Sequence, residues 1–289
     1  MLRSMIILSA SLVAGFAASA VPVENKKDSV PGFLPSSYSA SLSHYLGARD
    51  DSDPLTSIVF SAGWKSGDWS GSITQPFSKY YVVNSGEDEV RPSDSILGVS
   101  RKLDLLPFAP EWSSKGRFSL TLPVSEFSRM QGVVSKPKVS LSLGRSFFNE
   151  ALNYSLAPSV QYFFNRYKTT KSSVGDGGGT PLRQYMFKLS QSLTYSPIDD
   201  VSLSGSISYV QTNYEDLGFE NRTSTTQDRA LSQENYELDF SASYSLTEKL
   251  SLALGYGQSD KFERTYGSQE FYLFDEFTTQ FYVSAASTF

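Results

Sequence analysis

Phe277-Thr-Thr-Gln-Phe-Tyr-Val-Ser-Ala-Ala-Ser-Thr-Phe289 closes the chain. In steps of two it gives Phe277, Thr279, Phe281, Val283, Ala285, Ser287 and Phe289 on one side. Thr278, Gln280, Tyr282, Ser284, Ala286 and Thr288 fall on the other. Side chains alternate faces along a strand, so this period predicts a strand with one greasier and one more polar face. The chain stops on an aromatic residue in register with the apolar set. A terminal strand in a soluble protein is a frayed edge, where such an ending is out of place.

The same alternation recurs upstream. Tyr38, Ala40, Leu42 and Leu46 alternate with serines, as do Ile58, Phe60, Ala62 and Trp64, and then Ile73, Phe77 and Tyr81. Leu97, Val99 and Leu103 share a face, and so do Phe118, Leu120, Leu122 and Val124. After a loop from Gln131 to Pro137 come Val139, Leu141, Leu143 and Phe147, then Leu152 to Phe164. Tyr185 to Tyr195, Val201 to Tyr209, Tyr236 to Leu246 and Leu250 to Tyr256 complete the series before the terminal strand. About twelve strands of roughly ten residues result, the length a tilted strand needs to cross an apolar band of about 25 Å. Pro76, Pro123 and Pro158 fall inside these strands, where a missing N–H calls for a bulge or a shifted strand end.

The connections are sorted. Lys65–Asp68, Ser196–Asp200 and Thr247–Lys249 are short and share one end, while the long charged loops share the other. Leu105 to Trp112 is an apolar, proline-broken connection placed at a membrane interface. A soluble sandwich has no reason to sort its loops this way.

Composition fits. The chain has 289 residues, of which 39% are hydrophobic and 14% aromatic, and no cysteine. That suits a barrel with an apolar outside and a polar inside, and it leaves no thiolate for catalysis or metal binding. A net charge of −5 argues against nucleic acid, which demands a basic surface. Residues 1–20 read as a secretory signal peptide: Arg3, an apolar core from Met5 to Phe16, and the small-x-small site Ala18-Ser19-Ala20. Residues 21–36, with Pro22, Pro31 and Pro35, read as an irregular periplasmic segment, and 37–289 as the barrel.

With its terminal Phe289 and its signal, the ending resembles the C-terminal strand of Gram-negative outer-membrane β-barrels. In that superfamily the last aromatic residue serves as an insertion signal. The resemblance implies an all-β, closed antiparallel transmembrane β-barrel of about 12 strands in the outer membrane. It implies Phe281, Val283 and Phe289 as that signal, read by the barrel assembly machinery, with lipid bilayer and lipopolysaccharide around the wall.

On this reading the polar face lines the inside. It is rich in Ser, Thr, Gly and Gln, too small to fill a lumen of this girth, so a hydrated interior follows. Lys102, Arg117, Lys138, Lys188, Glu237 and Asp239 point inward by parity. They either select among solutes, as charged rings do in channels, or are simply wetted. Tyr45, Tyr80, Phe163 and Tyr282 also face inward, at strand ends or as stacking platforms.

Catalytic chemistry is poorly represented. A Ser/His hydrolase needs a general base beside its nucleophile. The single histidine, His44, shares the outward face with Leu42 and Leu46. The acidic clusters Asp50-Asp51-Asp53 and Glu87-Asp88-Glu89 could hold a divalent cation against lipopolysaccharide, or be plain solvated loops. Gly175 to Gly179 lacks the Lys-Ser/Thr of a phosphate loop. The sequence thus predicts a passive channel for small hydrophilic solutes, anionic or neutral, with no catalytic residue, metal or cofactor. A barrel hydrolase and a sealed structural barrel are the competing readings.

Overall fold

The computed structural model describes residues 37–49, 52–81, 88–106, 109, 111–169, 181–216, 232–261, 263–265, 268–270 and 279–288. The expected signal peptide, the 21–36 segment, the 175–179 glycine run and Phe289 lie outside the described residues. So do Asp50, Asp51 and Glu87, and the side chains of His44, Tyr45 and Tyr80.

Sixteen strands follow one another: β1 Ser37–Arg49, β2 Ser52–Ser66, β3 Trp69–Tyr81, β4 Asp88–Pro92, β5 Ser95–Leu103, β6 Trp112–Leu122, β7 Val133–Phe147 and β8 Leu152–Tyr162. Then come β9 Phe164–Asn165, β10 Arg183–Ile198, β11 Val201–Tyr214, β12 Ser232–Thr247, β13 Leu250–Lys261, β14 Glu263–Thr265, β15 Ser268–Glu270 and β16 Thr279–Thr288. One short helix, α1 Glu126–Met130, stands between β6 and β7. Fourteen strands share one antiparallel sheet, and β14 pairs with β15 apart from it. The long strands pair in chain order, with the short strands β4 and β9 set aside on β3 and β7. The last long strand, β16, pairs with both β13 and β1, while β2 pairs with both β1 and β3.

The turns explain the sorting. Gly67, at φ +54°, lets Ser66 and Trp69 face each other across two residues, a conformation that glycine adopts without strain. Asp199-Asp200 and Glu248-Lys249 are equally tight. At the opposite end most connections are longer, and one holds α1, but β1 and β2 are joined with Arg49 directly opposite Ser52. Ser125 caps that helix, its hydroxyl accepting the Ser128 N–H at 3.2 Å.

Each long strand has two unlike faces. On one, Phe60, Ile73, Phe118, Val160, Ile207, Phe240, Leu254 and Phe281 are exposed. Phe60 meets Phe77 edge-on at 5.8 Å, and Tyr256 meets Phe281 at 5.4 Å. The other face is knit by hydroxyls that hydrogen-bond across strands. Ser70 and Ser100 lie 2.7 Å apart, Ser202 and Ser243 2.7 Å, Ser155 and Ser192 2.8 Å, and Ser208 donates to Ser190 at 2.9 Å. The serines are therefore a structural ladder as well as a polar lining.

The prolines sit where the ladder can spare a donor. Pro76 lies where the β3 partner changes from β5, last paired at Thr74, to β4, first paired at Phe77. Its carbonyl accepts the Ser93 N–H at 3.0 Å. Pro158 falls in a gap of the β7–β8 ladder, between Ser140↔Ser159 and Leu143↔Leu156, while still paired with Leu189 of β10. Pro123 is just beyond the end of β6, so that strand stops earlier than its periodicity indicated. The expected loop from Gln131 to Pro137 is also shorter. Strand β7 begins at Val133, and Pro137 pairs with Leu120 where the partner of β7 passes from β9 to β8.

Candidate functional site

The six inward charges predicted from parity all take register positions on the serine face. Arg117 of β6 lies opposite Ser100, and Lys138 of β7 opposite Ser119 and Gln161. Lys188 of β10 sits between Ser159 and Val210. Glu237 and Asp239 of β12 face Ser208 and Ser206.

Four of them form one cluster. The Lys188 ammonium donates to Glu237 Oε2, reaching across β11 above Ser208. Lys138 lies within electrostatic reach of Lys188, Arg117 and Glu237. Arg117 rests over Gly98, where a Cβ would meet its Nη2 at 2.8 Å, and it donates to Ser72 Oγ at 3.4 Å. The absent side chain at Gly98 is what lets this guanidinium lie against the wall. Three cations, on β6, β7 and β10, thus lie about one carboxylate on β12. A recess of about 390 Å³ opens beside the Lys188–Glu237 pair, bordered by Ser206, Ser208, Asp239, Ser259 and Gln280.

Asp239 and Lys102 are held elsewhere. Asp239 accepts the Tyr282 hydroxyl at 3.0 and 3.2 Å. Lys102 lies toward the short-turn end, opposite Lys115. Lys115 was missed although it shares parity with Arg117; the alternation of apolar residues that marks the strand starts only at Phe118. Of the expected insertion signal, Phe281 and Val283 are exposed on the apolar face.

A second polar cluster was also missed. Asp94, between β4 and β5, accepts from the Ser125 N–H at 3.1 Å and the Ser125 hydroxyl at 2.6 Å. It also accepts from Ser128 Oγ at 2.5 Å and the Lys136 ammonium at 2.7 Å. Burial alone would raise the Asp94 pKa, but the Lys136 ammonium, the Ser125 and Ser128 hydroxyls and the Ser125 N–H together hold it below the ordinary carboxylate value. These contacts latch α1 to the β4–β5 rim. They join residues up to 42 apart in sequence, which no local pattern reveals.

His44 occupies a register position opposite Ile58 and Ala285, on the face where Ile58 is exposed. Phe163 is buried, and Tyr282 lies on the serine face as expected. On β11 the serine-face residues Ser208, Val210 and Thr212 are buried, whereas Lys102, Lys115 and Arg117 on the same face are exposed.

No family model matches the chain, and no curated protein is similar to it in sequence. Solved structures do resemble it. The COG4313 outer membrane channel from Pseudomonas putida F1 aligns over 92% of this chain and 100% of its own, at a TM-score of 0.57 and 14% identity. The CymD monoaromatic hydrocarbon channel aligns over 88% of each chain, at 0.45 and 9%. OprD from Pseudomonas aeruginosa aligns over 88% of this chain and 94% of its own, at 0.40 and 10%. At such identities the likeness carries the fold alone: an antiparallel β-sheet similar to that of the outer membrane channel from Pseudomonas putida F1.

Proposed function

We propose that the chain is a closed twelve-stranded barrel in the bacterial outer membrane and acts as a passive channel for small hydrophilic solutes, anionic or neutral ones favoured. Closure is supported by the pairings that give β1, β2, β3, β5, β6, β7, β8, β10, β11, β12, β13 and β16 a neighbour on each side. The observation that carries the channel is the exposure of both faces of one strand. Phe118 is 49% exposed on the apolar side of β6, and its neighbour Arg117 is exposed on the polar side. A wall between lipid and a wet lumen has that property.

Solute preference follows from the wall charges. Lys102, Lys115, Arg117, Lys138 and Lys188 outweigh Glu237 and Asp239. Weak, repeated hydroxyl and charge contacts suit conduction better than one tight site. We assign no catalysis: by sequence parity His44 shares the apolar face with Leu42 and Leu46. Residues 1–20 would be removed on export, 21–36 left as an irregular periplasmic segment, and Phe281, Val283 and Phe289 read by the assembly machinery. The sealed-barrel reading draws on one observation, the burial of Ser208, Val210 and Thr212 on the inner face of β11. Planar-bilayer recording separates the two. Discrete conductance steps support the channel, and their absence from correctly inserted protein supports the sealed barrel.

A further inference from the structure

Beyond the lumen, a groove of about 810 Å³ opens where α1 meets the start of β7 and the end of β9, at the end of the sheet away from the tight turns. Its apolar residues are unusually bare. Phe127 is 66% exposed, Met130 58%, Val134 48% and Tyr167 47%. Water-facing loops seldom gather so much apolar surface unless something covers it. Two cations, Arg129 and Arg166, line the same groove and are themselves exposed. Among the described residues neither guanidinium has a carboxylate partner. The nearest acid on the helix, Glu126, is paired with Arg91.

The groove continues the lipid-facing wall. Below it, Val160, Tyr162 and Phe164 are exposed on the apolar face, the last two in edge-on ring contact at 4.8 Å. Phe164 is paired with Ser135 of β7, and Arg166 and Tyr167 follow two and three residues later. Apolar surface therefore runs up from the wall and ends against two unpaired guanidiniums. Gly132, at φ +71°, makes room for this joint: a Cβ there would press on Tyr167, and its carbonyl accepts the Arg166 N–H at 2.8 Å. An occupant needs an acyl region below and an anion above, and a planar fork of donors favours phosphate.

We infer that this groove seats a phosphorylated glycolipid of the outer leaflet, its acyl chains against Phe127, Met130 and Val134 and a phosphate between Arg129 and Arg166. The inference rests on the membrane setting and not on conduction, so a sealed barrel would leave it intact.

The test is native mass spectrometry of the full purified protein in detergent, titrated with diphosphorylated lipid A, its dephosphorylated form, phosphatidylglycerol and inorganic phosphate. Removing two charge-assisted contacts with the double variant Arg129→Ala, Arg166→Ala is expected to weaken lipid A binding by about tenfold or more. The double lysine variant, which keeps charge and loses the fork, should fall between. Undiminished binding by the alanine pair would overturn the proposal. So would equal binding of dephosphorylated lipid or of phosphatidylglycerol, or displacement by inorganic phosphate alone. Should the alanine pair fail to assemble, comparing the phosphorylated and dephosphorylated lipids on the parent protein decides the question.

Discussion

Tyr282 of β16 donates its hydroxyl to both carboxylate oxygens of Asp239 on β12, at 3.2 and 3.0 Å, across the intervening strand β13. It reaches there because its ring lies flat on Gly255, the residue paired with it, where a Cβ would overlap the ring. Trp64 covers Gly71 in the same way one hairpin in from the other end of the chain. An aromatic ring over a bare glycine seals a place where the sheet would be thin, and here it also orders the Asp239 carboxylate on the serine face.

Gly255→Ala should therefore lift Tyr282 from the wall and break its bond to Asp239. Overpacking of this kind costs about 1–3 kcal/mol. Urea unfolding in detergent would show a lower midpoint for Gly255→Ala than for Ala253→Gly, a change on the same face of β13 that introduces no overlap. Equal midpoints would place Tyr282 elsewhere.

Glu237 is the single acid tied to the cationic cluster. Glu237→Gln frees Lys188 and leaves Arg117, Lys138 and Lys188 without a counter-charge. Reversal potential in a salt gradient should move toward the anion limit relative to the parent, and more so at low ionic strength, where screening is weak. A shift toward cations would show that Glu237 does not face the permeating ions.

Asp94 sets a pH limit on the α1 rim. Its folded pKa lies below the ordinary 3.8, so it contributes stability above that value. That contribution is lost as pH falls through the lower, folded value. Protection of the α1 amides from hydrogen exchange, corrected for the intrinsic rate, should hold from neutral pH to about pH 4 and fall only below it. Asp94→Asn should lose that protection at neutral pH. Equal protection in both proteins would mean the latch is not what holds the helix.

Much of the wall was legible because one period governs it. Strand β3 was bounded at Trp69 and Tyr81 from alternation alone. Placing Lys138 and Lys188 on the face of Ser119 and Ser159 needed no more than counting from Val139 and Leu189. What stayed hidden depends on partners. Pro158 looked like a violation until its position in a gap of the β7–β8 ladder was known. Lys136 was assigned to a loop because Pro137 reads locally as a breaker. The latch at Asp94 joins three segments, and the joint of Tyr282 on Gly255 needs a register between strands more than twenty residues apart. Sequence alternation fixes which face a residue takes; it carries no information about what lies across the neighbouring strand.

The proposed lumen conducts ions past the basic wall of β6, β7 and β10. Its most direct measurement is reversal potential across a planar bilayer in a salt gradient, for the parent and for Lys138→Glu with Lys188→Glu. Discrete conductance and anion preference are expected in the parent, with the sign of the potential reversed in the double variant. A cation-selective parent, or a potential unmoved by the two substitutions, would contradict the charge assignment, and no conductance from folded, inserted protein would contradict the channel itself.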